Sequence, residues 1–264
     1  MQLEQSPPPP TAGHGPPITP PPPRTTGSQR PEAGVCRRQW DHGPHTSPWL
    51  LLQLADSAFP TGGFVHSNGL ESAAQLGAIA GADDLERYVV LSLDQYGHTS
   101  LPFVSASHAG ADLAAMDRLC EAVLINHLAN RASRAQGSAW LTAANAAAPT
   151  AGIQALQHRV RDEALPGHQA PILGAVTALL GVDHDQVLRL ALFQHLRALV
   201  SSAVRLSLVG PLAAQALQAR CAEAAEATLA RCRDLDPEDA AATCPLLDIW
   251  HAQHDRLYSR LFAS

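Results

Sequence analysis

The segment Phe59–Glu71, with the sequence FPTGGFVHSNGLE, concentrates residue types that could do chemistry: three glycines, a histidine, a serine and a carboxylate. Glycine-rich loops cradle phosphates in dinucleotide-binding folds, and a serine in a G-x-S-x-G turn serves as a hydrolase nucleophile. Both motifs must follow a β-strand, whereas this segment follows a helical pattern and has the order G-G-F-V-H-S-N-G. The segment is therefore predicted to be a turn between a helix ending near Ser57 and another starting near His66.

Inside this turn, the PTGG stretch favours a tight bend, because Gly62 and Gly63 adopt backbone conformations closed to bulkier residues. The ring of Phe64 is expected to pack on the following helix as a hydrophobic staple. His66 or Ser67 would then lie near the start of that helix.

The 13 histidines invite a metal-site interpretation. His251 and His254 lie three residues apart in a late helical pattern, with Asp248 and Asp255 nearby, and could present two ligands to one ion. Helical histidine and aspartate on a polar face are more often solvated, so no structural metal site is assigned. The acidic stretch 183–185 is interpreted as a helix N-terminus, where carboxylates cap free N–H groups.

The five cysteines, at positions 36, 120, 221, 232 and 244, form no C-x-x-C pair. Their odd number and wide spacing argue against a zinc ribbon and against a secreted disulfide framework. No signal-peptide pattern precedes them, and no apolar run reaches the length of about 18 residues that a membrane span needs. A reduced, cytoplasmic protein is predicted.

The charge distribution excludes several functions. The formal net charge is -6, and all 18 basic residues are arginine, so the chain contains no lysine. A P-loop, a protein kinase site and a pyridoxal phosphate site each need a lysine. No cluster of positive charge predicts binding to nucleic acid or to an anionic membrane.

Residues 48–264 are predicted to form one all-α domain, a helical bundle of roughly eight to ten helices. Apolar residues recur three and four apart, as in the stripe Leu85, Val89 and Leu93. The segment APILGAVTALLG is apolar nearly all round, so it is expected to be central or to lie at a subunit interface. Helix breakers occur at helix-length spacing, at Pro102, Pro149, Pro166, Gly181, Gly210 and Pro237.

Residues 1–47 differ in composition, being rich in proline, glycine, serine and threonine. Such a segment lacks the apolar residues to form a core and is predicted to be a disordered tail. One alternative function rests on it: an interaction adaptor whose proline-rich tail docks in aromatic-lined grooves.

Five stretches, in order, resemble the UreF family of urease accessory proteins. The first is LLQLADSAFPTGGFVHSNGLESAAQLG, which is similar to the family's N-terminal motif with its G-G-F-x-x-S-x-G-L-E core. The others are NRASRAQGSAWL, GHQAPILGAVTALLGV, LVSSAVRLSLVGPLAAQALQ and PLLDIWHAQHDRLYSRLFAS, the last similar to the family's terminal H-x-x-x-x-R-L-F-x-S.

The resemblance implies an all-α homodimer without catalytic activity or a bound cofactor of its own. It implies a maturation factor that bridges a UreD/UreH-type scaffold and a UreG-type GTPase. The complex would regulate GTP-dependent delivery of nickel to the urease apoprotein, with nickel passing only transiently. An absence of lysine agrees with a partner, rather than this chain, holding the nucleotide.

The resemblance also implies partner-binding residues. In the N-terminal motif they are Gly62, Gly63, Phe64, Ser67, Gly69 and Glu71, which would shape a surface near the GTPase or the nickel route. Arg205 lies in a mostly apolar helix and needs a partner, either in an internal salt bridge or across an interface. The tail residues Arg260, Leu261, Phe262 and Ser264 are expected to become ordered on binding the scaffold.

No metal ligand is assigned. Four histidines are weak candidates for a transient nickel contact: His66, His168, His251 and His254. Of these, His168 is interpreted first as a capping or core histidine. A less favoured alternative for the whole chain is a small histidine-dependent metal-binding enzyme, which would bind metal stoichiometrically or turn over substrate alone.

Overall fold

The computed structural model describes residues 47–264, and every regular element in that range is helical. The predicted all-α class is thereby confirmed. The proline-rich segment 1–47 lies outside the described residues, apart from Ser47, so its predicted disorder stays a prediction.

Ten α-helices follow one another in the described range, within the predicted number. They are α1 (Pro48–Ala55), α2 (Leu70–Gln75), α3 (Ala82–His108), α4 (Leu113–Val123), α5 (His127–Ala147), α6 (Ala151–Asp162), α7 (Gln169–Leu179), α8 (His184–Arg205), α9 (Pro211–Cys232) and α10 (Pro245–Ala252). Three short 3-10 turns lie between or after them, at Gly63–Val65, Pro237–Asp239 and His254–Arg256.

Helix starts follow the capping chemistry of the sequence. Pro48 occupies the first turn of α1, where a missing N–H costs nothing. Asn126, Thr150 and Asp183 each accept main-chain N–H groups at the starts of α5, α6 and α8. The interpretation of residues 183–185 as a helix N-terminus is confirmed.

Pro102 does not break a helix, contrary to the prediction. It lies inside α3, which runs unbroken for 27 residues, and it is buried. Its ring removes one main-chain hydrogen bond, but α3 packs against α7, α8 and α9 along its length, and this packing outweighs the local cost. The predicted stripe Leu85, Val89 and Leu93 faces the core, with each side chain at most 1% exposed.

Helix α7 is the central helix, which decides between the two positions the sequence allowed. It lies between α3 and α5, and seven of its eleven residues are buried. Close approach to α3 depends on Gly174, because a Cβ atom there would lie 2.3 Å from the carbonyl oxygen of Val104. The glycine of the APILGAV stretch is thus explained by packing.

Helix α8 is long and apolar enough to span a membrane by length and composition, with a mean hydropathy of 1.2 over its best window. The sequence contains no uninterrupted apolar run of that length here, because arginines and a glutamine interrupt the apolar residues of this helix. Most of that window, 61%, is buried against other helices. Helix α8 is therefore a core helix of the helical domain.

Candidate functional site

The candidate site joins two segments that lie almost 200 residues apart in the sequence. The first is the motif turn, residues 62–71, between α1 and the body of α2. The second is the tail segment, residues 260–264, which follows α10 and the 3-10 turn His254–Arg256. The tail segment lies on the motif turn, so the first and last stretches of the family resemblance form one site.

The motif turn lies between two helices, as predicted, but the second helix begins later than expected. It forms a 3-10 turn at Gly63–Val65, and α2 begins only at Leu70 rather than near His66. The carbonyl of Val65 and the N–H of Ser67 hydrogen-bond to the tail segment, which keeps these two residues outside α2. Phe64 does not pack on α2 as a staple: the residue is 66% exposed, and its ring contacts Arg205 of α8.

Gly69 is the N-cap of α2 and has φ +82°, a conformation that favours glycine. A Cβ atom here would lie 3.0 Å from both Cβ of His251 and Oη of Tyr88. Tyr88 in turn donates a hydrogen bond to the carbonyl of Asn68. This glycine therefore permits close approach of the motif turn to α3 and α10.

Glu71 fastens the tail segment to the motif turn. Its carboxylate, 1% exposed, accepts the N–H groups of Leu261 at 2.6 Å and Phe262 at 3.1 Å. Its Oε2 also lies 3.0 Å from Nε2 of His254. A buried carboxylate with three such partners is fully satisfied, which explains how the chain tolerates a charge here.

Main-chain pairing extends the contact. Ala263 donates its N–H to the carbonyl of Val65 at 2.7 Å, and Ser67 donates its N–H to the main-chain oxygen of Ser264 at 2.6 Å. The Ser67 hydroxyl reaches the same oxygen at 3.1 Å. Nδ1 of His66 and the hydroxyl of Ser264 share a hydrogen bond of 2.6 Å.

Arg205 of α8 closes the site from one side. Its guanidinium carbon lies 3.9 Å from the ring centroid of Phe64 and 4.1 Å from that of Phe262. It also donates a hydrogen bond to the carbonyl of Phe64. The partner that Arg205 requires is thus a pair of aromatic rings rather than the salt bridge considered from the sequence.

The tail residues are ordered within this chain alone. Phe262 is 5% exposed and Ser264 1% exposed, while Arg260 pairs with Asp255 at 3.1 Å. From the sequence, this segment was expected to become ordered on binding the scaffold; it packs on the motif turn of its own chain, and its contact with a scaffold stays a prediction. Its polar partners, above all Glu71, were hidden because they lie so far away in the sequence.

His251 and His254 are not on a solvated face, contrary to the expectation. His251 is 7% exposed, and His254, in the 3-10 turn after α10, is fully buried. Burial, with the nearby His254 and His66, lowers the pKa of His251 to about 4. Burial, with Arg131 and His254, also lowers the pKa of His66.

His168 lies elsewhere, at the N-terminus of α7, and is confirmed as a core histidine. Its ring is fully buried, with Nε2 2.7 Å from Glu121 and Nδ1 3.1 Å from the hydroxyl of Ser133. The buried carboxylate of Asp117 accepts the N–H groups of Gly167 and His168, both at 2.7 Å. Sequence analysis missed Asp117, whose role depends on a loop 50 residues away.

No group of three or more histidine, cysteine or carboxylate side chains in residues 47–264 is arranged to hold a metal ion. A cavity of about 610 Å³ lies beside the motif turn. Its lining includes Gly63, Arg205 and His251, together with His195 of α8, whose ring stacks on Tyr96 at 4.4 Å between centroids. Burial lowers the pKa of His195 to about 4, so this ring is neutral near pH 7.

The outer surface of the site is apolar and aromatic. Exposed fractions are 66% for Phe64, 43% for Val65, 53% for Leu261 and complete for Tyr258, which precedes the tail segment. Aromatic and arginine side chains are enriched where proteins bind one another. Sequence analysis did not select Tyr258, although an exposed tyrosine beside the RLF stretch was visible there.

Comparison with known proteins identifies the fold family. A family model described as UreF matches residues 79–222, which covers α3 to the middle of α9. The urease accessory protein F of Oryza sativa subsp. indica is 39% identical over 225 residues, 83% of this chain and 85% of the rice protein. The protein of the same name from Arabidopsis thaliana is 38% identical over 82% of this chain and 92% of its own length.

A bacterial relative is similar to this chain over nearly its whole length. The urease accessory protein UreF of Paenarthrobacter aurescens is 30% identical over 218 residues, 81% of this chain and 96% of the bacterial protein. The relatives span plants and bacteria at this level of identity, and the family model independently matches the helical body. The chain therefore belongs to the UreF family.

Proposed function

We propose that this chain is a non-catalytic urease maturation factor that bridges a UreD/UreH-type scaffold and a UreG-type GTPase. In this proposal the assembled complex regulates GTP-dependent nickel delivery to the urease apoprotein. Family membership supports a role in urease maturation, because the relatives are named urease accessory proteins. The chain lacks lysine, which supports a nucleotide site on the partner.

The observation that carries the bridging role is the docking of the tail segment on the motif turn. Two segments that the family resemblance marks separately are held together by Glu71, Arg205 and Ser67. The joint surface exposes Phe64 and Leu261 beside Tyr258. The proposal includes a set of partner-binding residues from both segments and from α8. They are Gly62, Gly63, Phe64, Ser67, Gly69, Glu71, Arg205, Arg260, Leu261, Phe262 and Ser264.

Within this surface the residues have two kinds of role. Phe64, Leu261 and Arg260 are exposed and would contact a partner directly. Glu71 and Ser264 are buried and would act by holding the exposed residues in place. Substitution of the exposed Leu261 side chain should therefore weaken binding with little change in stability, whereas Phe64 and Arg260 also contact Arg205 and Asp255 within the chain.

Nickel is cargo in this proposal and binds the chain only transiently. The lining of the cavity beside the motif turn is more apolar than polar, and most of its polar side chains are neutral amides and hydroxyls rather than the carboxylates or thiolates that hold a divalent ion tightly. A homodimer in the cytoplasm completes the proposal. Its support is the family resemblance, together with the free, reduced cysteines 120, 221, 232 and 244.

The test is size-exclusion chromatography with light scattering, on the chain mixed with the UreD-type and UreG-type proteins of its own organism, with GTP and nickel. We expect one three-component peak, which is lost on removing residues 255–264. Deleting residues 1–47 should leave the peak unchanged, which separates this proposal from an adaptor that works through its proline-rich segment.

A single-residue comparison sharpens the test. Tyr258→Ala removes a fully exposed ring beside the tail segment, and Leu212→Ala removes a side chain 89% exposed at the start of α9. We expect Tyr258→Ala to weaken complex formation about tenfold or more, as for a binding hot spot, and Leu212→Ala to change nothing. Elution of the intact chain alone under every nucleotide and nickel condition would contradict the proposal.

A further inference from the structure

Three buried histidines lie beneath the docked tail segment. His66 belongs to the motif turn, His251 to α10 and His254 to the 3-10 turn that follows. None is more than 7% exposed. His66 contacts Ser264 of the tail segment directly, and His254 contacts Glu71, which holds Leu261. The histidine cluster and the docked tail are therefore parts of one packed unit.

The cluster contains polar atoms that the docked state leaves without partners. Nε2 of His251 and Nδ1 of His254 are both inaccessible to solvent and make no hydrogen bond within the described residues. A buried nitrogen without a partner costs free energy, and it costs more once its ring is protonated. This part of the structure is suited to neutral imidazole rings.

Charged groups around the cluster come from every element packed on it. They do not offer a free carboxylate to a protonated His251: Glu71 is occupied by His254 and two N–H groups, and Asp255 by Arg131, His127 and Arg260. Asp248 accepts hydrogen bonds from Asn126 and Gln95. The titratable and charged groups around the cluster are Glu71, Tyr88, His127, Arg131, Arg205, Asp248, Asp255 and Arg260.

We propose that this histidine cluster makes docking of the tail segment depend on pH. The tail segment stays on the motif turn while His66 and His251 are neutral, and it detaches when they take up protons. The device would regulate the partner surface proposed above. The pH dependence is tested on the isolated chain, without partners. It can therefore be absent while the proposed function holds, and it can be present while the proposed function fails.

The direction follows from proton linkage. In the docked state, burial lowers the pKa of His66 and of His251 below the ordinary value of 6.5. Undocking would return water to His66, which contacts Ser264 of the tail segment, and would loosen the motif turn, whose Gly69 packs against His251. The undocked state therefore binds more protons, and docking weakens as the pH falls below about 6.5. The effect is assigned to His66 and His251 only, because His254 already pairs with the carboxylate of Glu71.

The test measures hydrogen exchange by NMR on the full chain between pH 7.5 and pH 5.0, expressed as protection factors. The reporting amides are those of Leu261, Phe262 and Ala263, whose acceptors are Glu71 and Val65. We expect their protection to fall by about tenfold per pH unit below pH 6.5 for each histidine that takes up a proton. Amides of the core helix α8 should keep their protection.

Two variants and a control connect the effect to the cluster. His251→Gln and His66→Gln should each flatten the pH dependence, while His158→Gln, at an exposed position of α6, should leave it intact. If a cluster variant does not fold, the histidines of the unaltered chain are titrated by NMR instead. The proposal then requires that His66 or His251 take up a proton over the same pH range in which the tail amides lose protection. Protection unchanged across the range, or lost equally in α8, would overturn the proposal.

Discussion

The carboxylate of Glu71 lies 3.0 Å from Nε2 of His254, and both side chains are almost completely buried. The same carboxylate accepts two N–H groups of the tail segment. One acidic residue of the motif turn thus connects α2, the turn after α10 and the tail segment. Removing its charge should loosen all three connections together.

We expect Glu71→Gln to release the tail segment and to lower the free energy of unfolding by about 1–3 kcal/mol, because its amide group cannot accept all three hydrogen bonds. Urea denaturation measures the loss, and hydrogen exchange at Leu261 and Phe262 reports the release. Glu223→Gln is the control, since Glu223 is exposed on α9. Unchanged protection at Leu261 in Glu71→Gln would show that the carboxylate does not hold the tail.

Arg205→Lys should weaken the stack with Phe64 and Phe262 although the charge is kept, because an ammonium group cannot lie flat between two rings. The expected loss of stability is about 0.5–2 kcal/mol. Thermal denaturation measures it. Arg87→Lys, at a position where the side chain is 68% exposed, should lower stability far less. Equal losses of stability in the two variants would show that the stack of Arg205 on the two rings does not stabilise the fold.

Gly69→Ala and Gly77→Ala form a matched pair. Both glycines have positive φ, +82° and +78°, but only Gly69 has neighbours within 4 Å of an added Cβ. Each substitution should cost roughly 1 kcal/mol for the backbone conformation, and Gly69→Ala should cost about 1–3 kcal/mol more because His251 and Tyr88 must move. Urea denaturation of both variants separates the two contributions.

Acid should destabilise the whole domain through His195 as well. Its folded-state pKa of about 4 lies below the ordinary 6.5, so the folded state binds fewer protons and stability is lost as the pH falls from about 6.5 toward 4. Full loss of this contribution amounts to about 3 kcal/mol. Urea denaturation at pH 7.0 and pH 4.5 should show a smaller difference for His195→Gln than for the unaltered chain or for His158→Gln.

Local patterns predicted most of the helical architecture. Caps such as Asp183 and stripes such as Leu85 and Val89 act over a few residues, so the sequence displays them directly. Pro102 was misjudged because tertiary packing of α3, not local preference, decides whether that helix continues.

The candidate site was predictable only in part. The motif residues and the RLF tail could be selected by resemblance. The position of Arg205 among apolar residues indicated that it needs a partner. That Glu71 receives Leu261, or that Arg205 lies between Phe64 and Phe262, depends on contacts across more than 50 residues of sequence. His251 and His254 were misplaced because their burial comes from the motif turn rather than from their own helix.

Docking of the tail segment also has a consequence for biosynthesis. The hydrogen bond between Leu261 and Glu71 closes a loop of 190 residues, and such a long closure follows the formation of nearer contacts. During translation the motif turn leaves the ribosome long before its counterpart is made. A chain that stalls or is cut before residue 261 would lack the partner of Glu71, so this surface can form only after residue 261 has been made.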